Sequence, residues 1–447
     1  MVSGFPELLP AQRFVELAVL DRLRATFELH GFAPLETPAV ESLDQLLRKS
    51  TGGEIDKEIY VLRRLHAAAD EPVEGSGLGL HFDLTVPFAR YVLEHAGHLE
   101  FPFRRYQIQK VWRGERPQQG RYREFTQADI DIVARDALPF HYDVEIARVM
   151  AEALGSLDFL PPLRLQVNNR RLIEGFYLGL GVTDVPAVIR AIDRLDQVPA
   201  DVVATQLVDD AGLTGEQATR CLALADIRSI DSSFVAAVRE LGVAHPLLDQ
   251  GLDELAAVLD GCAGIDHEQV RVEADLRIAR GLDYYTGTVF ETRMDGYESI
   301  GSICSGGRYE SLASDGKVSY PGVGISLGLS RLLIPLFQQN VLAGSRAVPS
   351  AVLVALPSDD LRGASDAVAQ ALRGRGIAAE VAASAQKYGK QIRYAERRGI
   401  PFVWFPGEPH EVKDIRSGDQ VQVDPSTWSP PPEDLRPQVV LPQKVGQ

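Results

Sequence analysis

From residue 14 to 27 the apolar side chains Phe14, Leu17, Leu20, Leu23 and Phe27 recur every three to four positions, a spacing that gathers them on one side of an α-helix. Gly31 follows as a stop signal. Glu36-Thr37-Pro38 then leads into Ala39-Val40-Glu41, a short extended stretch with proline where a strand start tolerates it; such a strand can sit at a subunit boundary. From 81 to 133 apolar and polar residues alternate with the period of a strand, interrupted by Gly114-Glu115-Arg116-Pro117-Gln118-Gln119-Gly120. This predicts a long antiparallel hairpin. Between about 170 and 260 the spacing turns helical again, as in Val185, Ile189, Ile192 and Leu195, which predicts a mostly helical insertion. Strand patterning returns over 284–291, turns at Asp295-Gly296 and resumes before Gly306-Gly307.

The pattern lapses near Leu342-Ala343-Gly344-Ser345, and Val348-Pro349-Ser350 precedes a new apolar strand, Ala351-Val352-Leu353-Val354-Ala355. We place a domain boundary there. Beyond it the predicted order is helix (360–373), strand (377–381), helix (389–398), strand (401–405) and a hairpin at Ser417-Gly418. This alternation is that of a small α/β domain. The expected organisation is one domain over 1–342, a linker over 343–350, the α/β domain over 351–425, and a weakly structured tail over 426–447 containing Pro430-Pro431-Pro432.

Composition narrows the picture. A chain of 447 residues, 45% hydrophobic, exceeds what one core organises. No apolar run approaches the ~20 residues of a bilayer span, and the start of the chain lacks a basic segment followed by an apolar one. A cytoplasmic protein without a membrane partner is expected. Cys221, Cys262 and Cys304 are scattered, with no CxxC pair and no nearby histidine cluster, so reduced thiols and no structural metal are expected. The net charge of -16 opposes nonspecific attraction to polyanions, so any RNA contact must use local basic patches.

One such patch stands out. Val111-Trp112-Arg113-Gly114-Glu115-Arg116-Pro117-Gln118-Gln119-Gly120-Arg121-Tyr122-Arg123-Glu124-Phe125 gathers four arginines around a glycine-bounded turn. Guanidinium groups hold phosphates through paired hydrogen bonds and stay charged, so the cluster suits a triphosphate or an RNA backbone. Period-two geometry puts Arg113 on one face with Phe125, Gln127, Asp129 and Asp131 of the returning strand, and aligns His81, Asp83 and Thr85 likewise. The same residues also read as a solvated hairpin tip, its acids paired with its arginines at about 0.2–1 kcal/mol per exposed pair. Two further blocks are equivocal by spacing alone. In Arg280-Gly281-Leu282-Asp283-Tyr284-Tyr285-Thr286-Gly287-Thr288-Val289-Phe290-Glu291 the tyrosines suit a core or a sheet edge as well as a site. In Gly322-Val323-Gly324-Ile325-Ser326-Leu327-Gly328-Leu329-Ser330-Arg331-Leu332-Leu333 the arginine can simply snorkel from a packed leucine face.

Taken together these blocks resemble the histidyl-tRNA synthetases. Residues 111–125 are similar to motif 2 of class II aminoacyl-tRNA synthetases, 322–333 to motif 3, and Pro38 in Glu36-Thr37-Pro38 to the proline of motif 1. Residues 280–291 and Ser305-Gly306-Gly307-Arg308-Tyr309 resemble the two histidine-specific signatures. Lys387-Tyr388-Gly389-Lys390-Gln391 and Val412-Lys413-Asp414-Ile415-Arg416 resemble the class IIa anticodon-binding domain. The resemblance implies a mixed α/β chain: an antiparallel-sheet catalytic domain with a helical insertion, then a small α/β anticodon-binding domain. It implies that ATP and histidine form histidyl-adenylate, whose acyl group passes to the 3′ end of tRNA(His), with Mg²⁺ bridging phosphate oxygens and a homodimer built through motif 1.

The residue roles it implies are these. Arg113 and Arg280 are catalytic at the α-phosphate, Arg331 meets the γ-phosphate, and Glu115, Arg121 and Phe125 complete the ATP site. Asp83, Thr85, Gln127, Asp131, Arg280, Tyr284, Tyr285, Gly306 and Tyr309 hold histidine, while Arg116, Gln118, Lys387, Lys390 and Lys413 meet tRNA. Position 83 departs from the glutamate frequent in the family, keeping its charge on a shorter arm. Two alternatives accompany this reading. One is a histidine-binding regulatory paralogue of the kind that assists ATP phosphoribosyltransferase, which generally lacks the anticodon domain and the catalytic arginines. The other is a duplicated ligase that activates histidine for a product other than tRNA. Cys304 is expected to be a core or pocket-wall thiol.

Overall fold

Alternation along nine strands decides which side of one large sheet meets helices and which is left to form a cleft. The computed structural model describes residues 2–47, 58–65, 77–265, 269–278, 285–314 and 316–442. It divides into two units, Met1–Pro6 with Arg22–Pro335 and Glu7–Asp21 with Leu336–Gln447. Helix α1 (Pro10–Leu29) gives residues to both.

The first unit's strands are β1 (Ala33–Pro34), β2 (Phe103–Trp112), β3 (Glu124–Val133), β4 (Leu163–Asn169), β5 (Arg228–Ser229), β6 (Val270–Asp275), β7 (Tyr285–Met294), β8 (Cys304–Ser314) and β9 (Ser319–Gly328). They lie in the order β1-β2-β3-β9-β8-β7-β4-β6-β5, antiparallel except for β1–β2 and β4–β6. Register keeps partners on a common face. Ile130, Ile325, Phe290 and Val167 share one face, all buried and apolar. Burying each contributes about 1.5–3 kcal/mol. Helices α3 (His141–Gly155), α4 (Arg170–Gly179) and α9 (Pro246–Cys262) cover it. On this side Arg308 meets Asp143 of α3, its Nη2 donating to Oδ2 at 2.6 Å while a second bond runs to the Leu138 carbonyl.

The hairpin forms as β2 and β3, paired from Phe103↔Val133 to Trp112↔Glu124. Its expected start at 81 is corrected, because residues Thr85–His95 form helix α2. Val86, Ala89 and Val92 are buried at three-residue spacing, and the Asp83 carboxylate accepts the Val86 N–H at 3.0 Å. Pro87 occupies the first turn, where its missing donor costs nothing. Thr85 is therefore a helix-start residue and does not share a strand face with His81 and Asp83.

The insertion is helical as expected: α4, α5 (Val185–Asp193), α6 (Ala200–Asp209), α7 (Gly215–Ala225), α8 (Phe234–Glu240) and α9. Its ends belong to the sheet's helix layer. A Cβ built on Gly175 of α4 would lie 2.2 Å from the Leu248 backbone nitrogen, and one on Gly251 of α9 would lie 2.2 Å from that of Leu172. Only glycine permits so close a crossing.

In the second unit β10 (Val352–Val354), β11 (Ala379–Val381), β12 (Phe402–Phe405), β13 (Glu411–Asp414) and β14 (Gln420–Gln422) are ordered β11-β10-β12-β13-β14. The first three are parallel. Parallel neighbours need crossovers, supplied by α11 (Arg362–Gly374) and α12 (Tyr388–Arg398). The tail expected to be weakly structured is tied down instead. The Trp428 ring stands edge-on to Phe402 and Trp404, with centroids 5.3 and 5.6 Å away. The Arg416 guanidinium grips both Asp434 oxygens at 2.9 and 2.8 Å, and Val439–Val440 pairs with Ala343–Gly344. A proline run conceals this from periodicity, because its anchors are single residues.

Candidate active site

The face opposite the helices carries Gln107 and Gln109 on β2, Gln127, Asp129 and Asp131 on β3, Ser326 on β9, and Ser305 and Tyr309 on β8. Small residues on β9 leave room above the sheet. A Cβ on Gly324 would lie 2.2 Å from Asp131 Oδ1.

At the β3 end of this face two arginines converge. Arg113 follows β2 in phase with it, its guanidinium 5.1 Å above the Phe125 ring and its Nε donating to the Phe82 carbonyl at 3.1 Å. Arg331 stands in the first turn of α10 (Leu329–Gln338) and donates through Nε to the Gly120 carbonyl at 2.6 Å and through Nη1 to the Ser302 carbonyl at 2.7 Å. Carbonyls hold the guanidinium in place and leave its charge intact. Both arginines line one cleft with Glu115, Tyr122, Phe125 and Gln127. Burial, followed by the positive charge of Arg113, weakens the Arg331 proton's hold, and Arg121 adds to this against Glu115. Such mutual repulsion is relieved by an anion.

Beside the cleft lies a buried acidic pocket. Asp131 takes Arg105 Nη2 on Oδ2 at 2.6 Å and the Tyr309 hydroxyl on Oδ1 at 2.9 Å. Arg105 is wholly buried, with its guanidinium 4.4 Å above the Phe88 ring of α2. Burial raises Asp131 to about 6 and Asp129 to about 7, in each case against the pull of Arg105; Asp83 is raised by burial as well. Arg105 thus acts on all three carboxylates, and Asp83 feels the charge of Arg113 more strongly still. His81, stacked on Trp112 at 5.5 Å, donates from Nε2 to the Lys110 carbonyl at 2.7 Å, and burial lowers its pKa.

The fold brings Arg113, Glu115, Phe125, Gln127 and Arg331 to the cleft, and Asp83, Asp131 and Tyr309 to the acidic pocket. Tyr285 pairs in register with Tyr309, Thr85 opens α2, and Arg121 reaches Glu115 at 3.3 Å. Gly306 is not brought there: it shares its row with Phe290 and Ile325 on the helix side. Arg116 and Gln118 are exposed on the 113–123 turn. Lys387 and Lys390 bound the start of α12, and Lys413 lies on β13, all in the second unit. Arg280 and Tyr284 lie outside the described residues. Sequence reasoning passed over Arg105, Ser302, Tyr122 and Ser326, and gave Asp129 a face without a role. The available signal was Arg105 itself, a charge at an inward position of an alternating strand and directly opposite Asp131. Cys304 is buried and its thiol is pushed up to about 12, which makes it a wall residue and no nucleophile.

Fixed cations beside a carboxylate pocket, on the open face of an antiparallel sheet, suit an enzyme that joins an amino acid to a nucleotide phosphate, and that architecture is the class II aminoacyl-tRNA synthetase catalytic domain. Residues 4–332 match the family described as Histidyl-tRNA synthetase, and residues 351–427 match the Anticodon binding domain. The histidine–tRNA ligase of Cutibacterium acnes is 59% identical over 98% of both chains, and that of Micrococcus luteus is 57% identical over 99% of this chain and 98% of its own. The histidyl-tRNA synthetase of Nostoc sp. PCC 7120 superposes with a TM-score of 0.82 at 34% identity, over 95% of this chain and 96% of that one. The chain belongs to the histidyl-tRNA synthetase family.

Proposed function

We propose that the chain is a histidine–tRNA ligase, activating histidine with ATP to histidyl-adenylate and passing the acyl group to the 3′ end of tRNA(His). The observation that carries this reading is the convergence of Arg113 and Arg331 on one cleft, next to a pocket of buried carboxylates. In the first step a histidine carboxylate oxygen attacks the α-phosphorus, a P–O bond forms and pyrophosphate leaves. In the second a ribose hydroxyl of tRNA attacks the acyl carbon, and AMP leaves. Positioning and charge stabilisation supply most of the rate enhancement in phosphoryl transfer.

Arg113 holds the α-phosphate and Arg331 the γ-phosphate, with Glu115, Arg121 and Phe125 around the nucleotide. Arg280 joins Arg113 at the reacting phosphate on the strength of the resemblance. Asp83, Thr85 and Gln127 take the amino-acid end of histidine, and Asp131, steadied by Arg105 and Tyr309, takes the imidazole with Tyr285. Mg²⁺ favours oxygen ligands, usually triphosphate oxygens with one or two carboxylates. Glu115 on the cleft wall is a donor of that kind, and the ion would neutralise charge on the leaving pyrophosphate. Arg116 and Gln118 on the exposed turn, and Lys387, Lys390 and Lys413 in the second unit, meet tRNA. A homodimer through the stretch around Pro38, working in the cytoplasm, completes the reading; no described helix is long and apolar enough to cross a membrane.

The test is amino-acid-dependent pyrophosphate exchange across all twenty amino acids, followed by charging of purified tRNA. Exchange with histidine alone, and histidine acceptance by tRNA(His), are expected. Exchange without charging would favour a ligase with another acceptor, and absence of exchange would favour a regulatory subunit. Arg113→Ala should lower the exchange turnover by about 10²–10³-fold, the usual effect of removing one preorganised donor to developing charge.

A further inference from the structure

Strands β7 and β8 are unevenly matched. Val289 pairs with Gly307 and Tyr285 with Tyr309, so four steps along β7 match two along β8. β7 therefore bulges opposite Arg308 and presents Tyr285, in place of Gly287, to Tyr309. Bulges re-aim side chains in this way beside active sites. Glycines on both strands let the side chains interlock. A Cβ built on Gly307 would lie 2.9 Å from Cδ1 of Tyr285, whose ring lies over β8 on the open face. One built on Gly287 would lie 2.8 Å from Cδ of Arg308, whose stem crosses β7 on the helix side. The Arg308 guanidinium is itself anchored. Its Nε and Nη2 donate to Asp143 Oδ2 at 3.1 and 2.6 Å, Nη2 also reaches the Leu138 and Pro139 carbonyls just ahead of α3 at 3.1 and 3.4 Å, and Nη1 meets Glu310 at 3.3 Å. Both members of the Arg308–Asp143 pair are buried. A buried ion pair is often no more stabilising than apolar side chains of similar volume, so stability alone does not account for this one.

We propose that Arg308 is a positioning residue of the amino-acid pocket: anchored on Asp143, it holds the β7 bulge so that Tyr285 lies over Gly307 and stands opposite Tyr309. Arg308 lies on the helix side of the sheet and touches no substrate. It acts through the two tyrosines on the other side, one of which meets Asp131 through its hydroxyl. The nucleotide cleft meets β8 only at the other end, at Cys304 and Ser305. The effect of Arg308 therefore falls on the amino acid and spares ATP. Without the anchor, the stem leaves Gly287, the bulge slackens, and Tyr285 loses its place. The inference rests on the reading of the acidic pocket as the amino-acid site.

The test compares Arg308→Met, Arg308→Lys and the double variant Arg308→Met/Asp143→Leu with the wild type in pyrophosphate exchange, measuring KM for histidine and for ATP separately, with a thermal melt of each protein. Arg308→Met leaves Asp143 buried without its partner, so its Tm falls by several degrees. Its histidine KM rises about tenfold, as misplacement of pocket walls costs, with the ATP KM within about twofold of wild type. Arg308→Lys, which keeps a cation on the stem, recovers part of the histidine affinity. The double variant leaves no lone charge and recovers most of the Tm, yet its histidine KM stays raised, because nothing ties the stem to α3. A double variant that regains the wild-type histidine KM along with its Tm overturns the proposal and makes the pair purely structural. So does an unchanged histidine KM in Arg308→Met, or an equal rise in both KM values. Where Arg308→Met does not fold, Gly287→Ala carries the test: its methyl group displaces the Arg308 stem and leaves both charges in place. A raised histidine KM with an unchanged ATP KM supports the proposal, and an unchanged histidine KM overturns it. If the wild type shows no exchange with histidine, it is the reading of the pocket that fails, and crystal structures of wild type and Gly287→Ala still decide whether Tyr285 leaves Gly307 when the stem is displaced.

Discussion

Without substrate, the carboxylates around Arg105 act as a store of protons. An aspartate in the unfolded chain titrates near 3.9, whereas burial raises Asp131 to about 6 and Asp129 to about 7 in the fold. Between about pH 4 and 7 the folded state therefore binds more protons than the unfolded one. The contribution of these groups to stability is full below the unfolded value and is lost as pH rises through 6 and 7. We expect the Tm of the substrate-free enzyme to fall between pH 5 and 8 by several degrees more in the wild type than in Asp129→Asn, which cannot lose this proton. Parallel melting curves from scanning fluorimetry would contradict it. Saturating histidine should flatten the wild-type curve, since a bound cation offsets the ionised carboxylates. Period two along β3 made the shared face of Phe125, Gln127, Asp129 and Asp131 legible in the sequence. The engagement of Asp131 by Arg105 and Tyr309 was not, since Tyr309 comes from a strand almost 180 residues further on.

Helix and strand both depend on periodicity, and the elements that misled were those where two periods coincide. His81, Asp83 and Thr85 stand two residues apart as on a strand, yet from Thr85 onward the buried Val86, Ala89 and Val92 follow the turn of α2, where the Asp83 carboxylate accepts the Val86 N–H. The signature arginine Arg308 is another such case: one residue before Tyr309, it faces the opposite side of the sheet and binds Asp143, so a contiguous motif supplies both the acidic pocket and the core. The meeting of α4 and α9 left no periodic trace either, because it depends on glycine. Gly175→Ala would drive a methyl group onto the Leu248 backbone. A backbone cannot swing aside as a flexible side chain does, so the helices must part, at a cost of about 1–3 kcal/mol typical of overpacking. The expected outcome is a Tm lower by several degrees with the histidine KM unchanged, because neither helix lines the cleft. A Tm equal to wild type would show the crossing to be looser than it stands.

At the scale of the whole molecule the question is how an acidic chain handles a polyanion, and the answer lies in where its cations are held. The cleft's positive charge comes from Arg113, Arg121 and Arg331 in the first unit. In the second unit a groove along α12 carries Lys390, Arg393 and Arg397. The second unit has cores of its own, in which Val354, Leu372, Phe402 and Trp404 pack together and Leu353, Ala395 and Val403 form another, so the strand–helix alternation read from the sequence corresponds to separate burial. A chain ended after Pro349 keeps each described cleft and pocket residue named above. It loses the basic groove, the Arg346 bond to the Asp434 carbonyl and the pairing of Ala343–Gly344 with Val439–Val440. Histidine-dependent pyrophosphate exchange should therefore stay within a few-fold of the full chain. Charging of tRNA should fall at least tenfold through a higher KM for tRNA, and depend less steeply on salt, because each lost phosphate contact removes about one unit from the slope of log affinity against log salt. If a folded fragment lost exchange and charging equally, the second unit would be supporting the cleft and not gripping the nucleic acid.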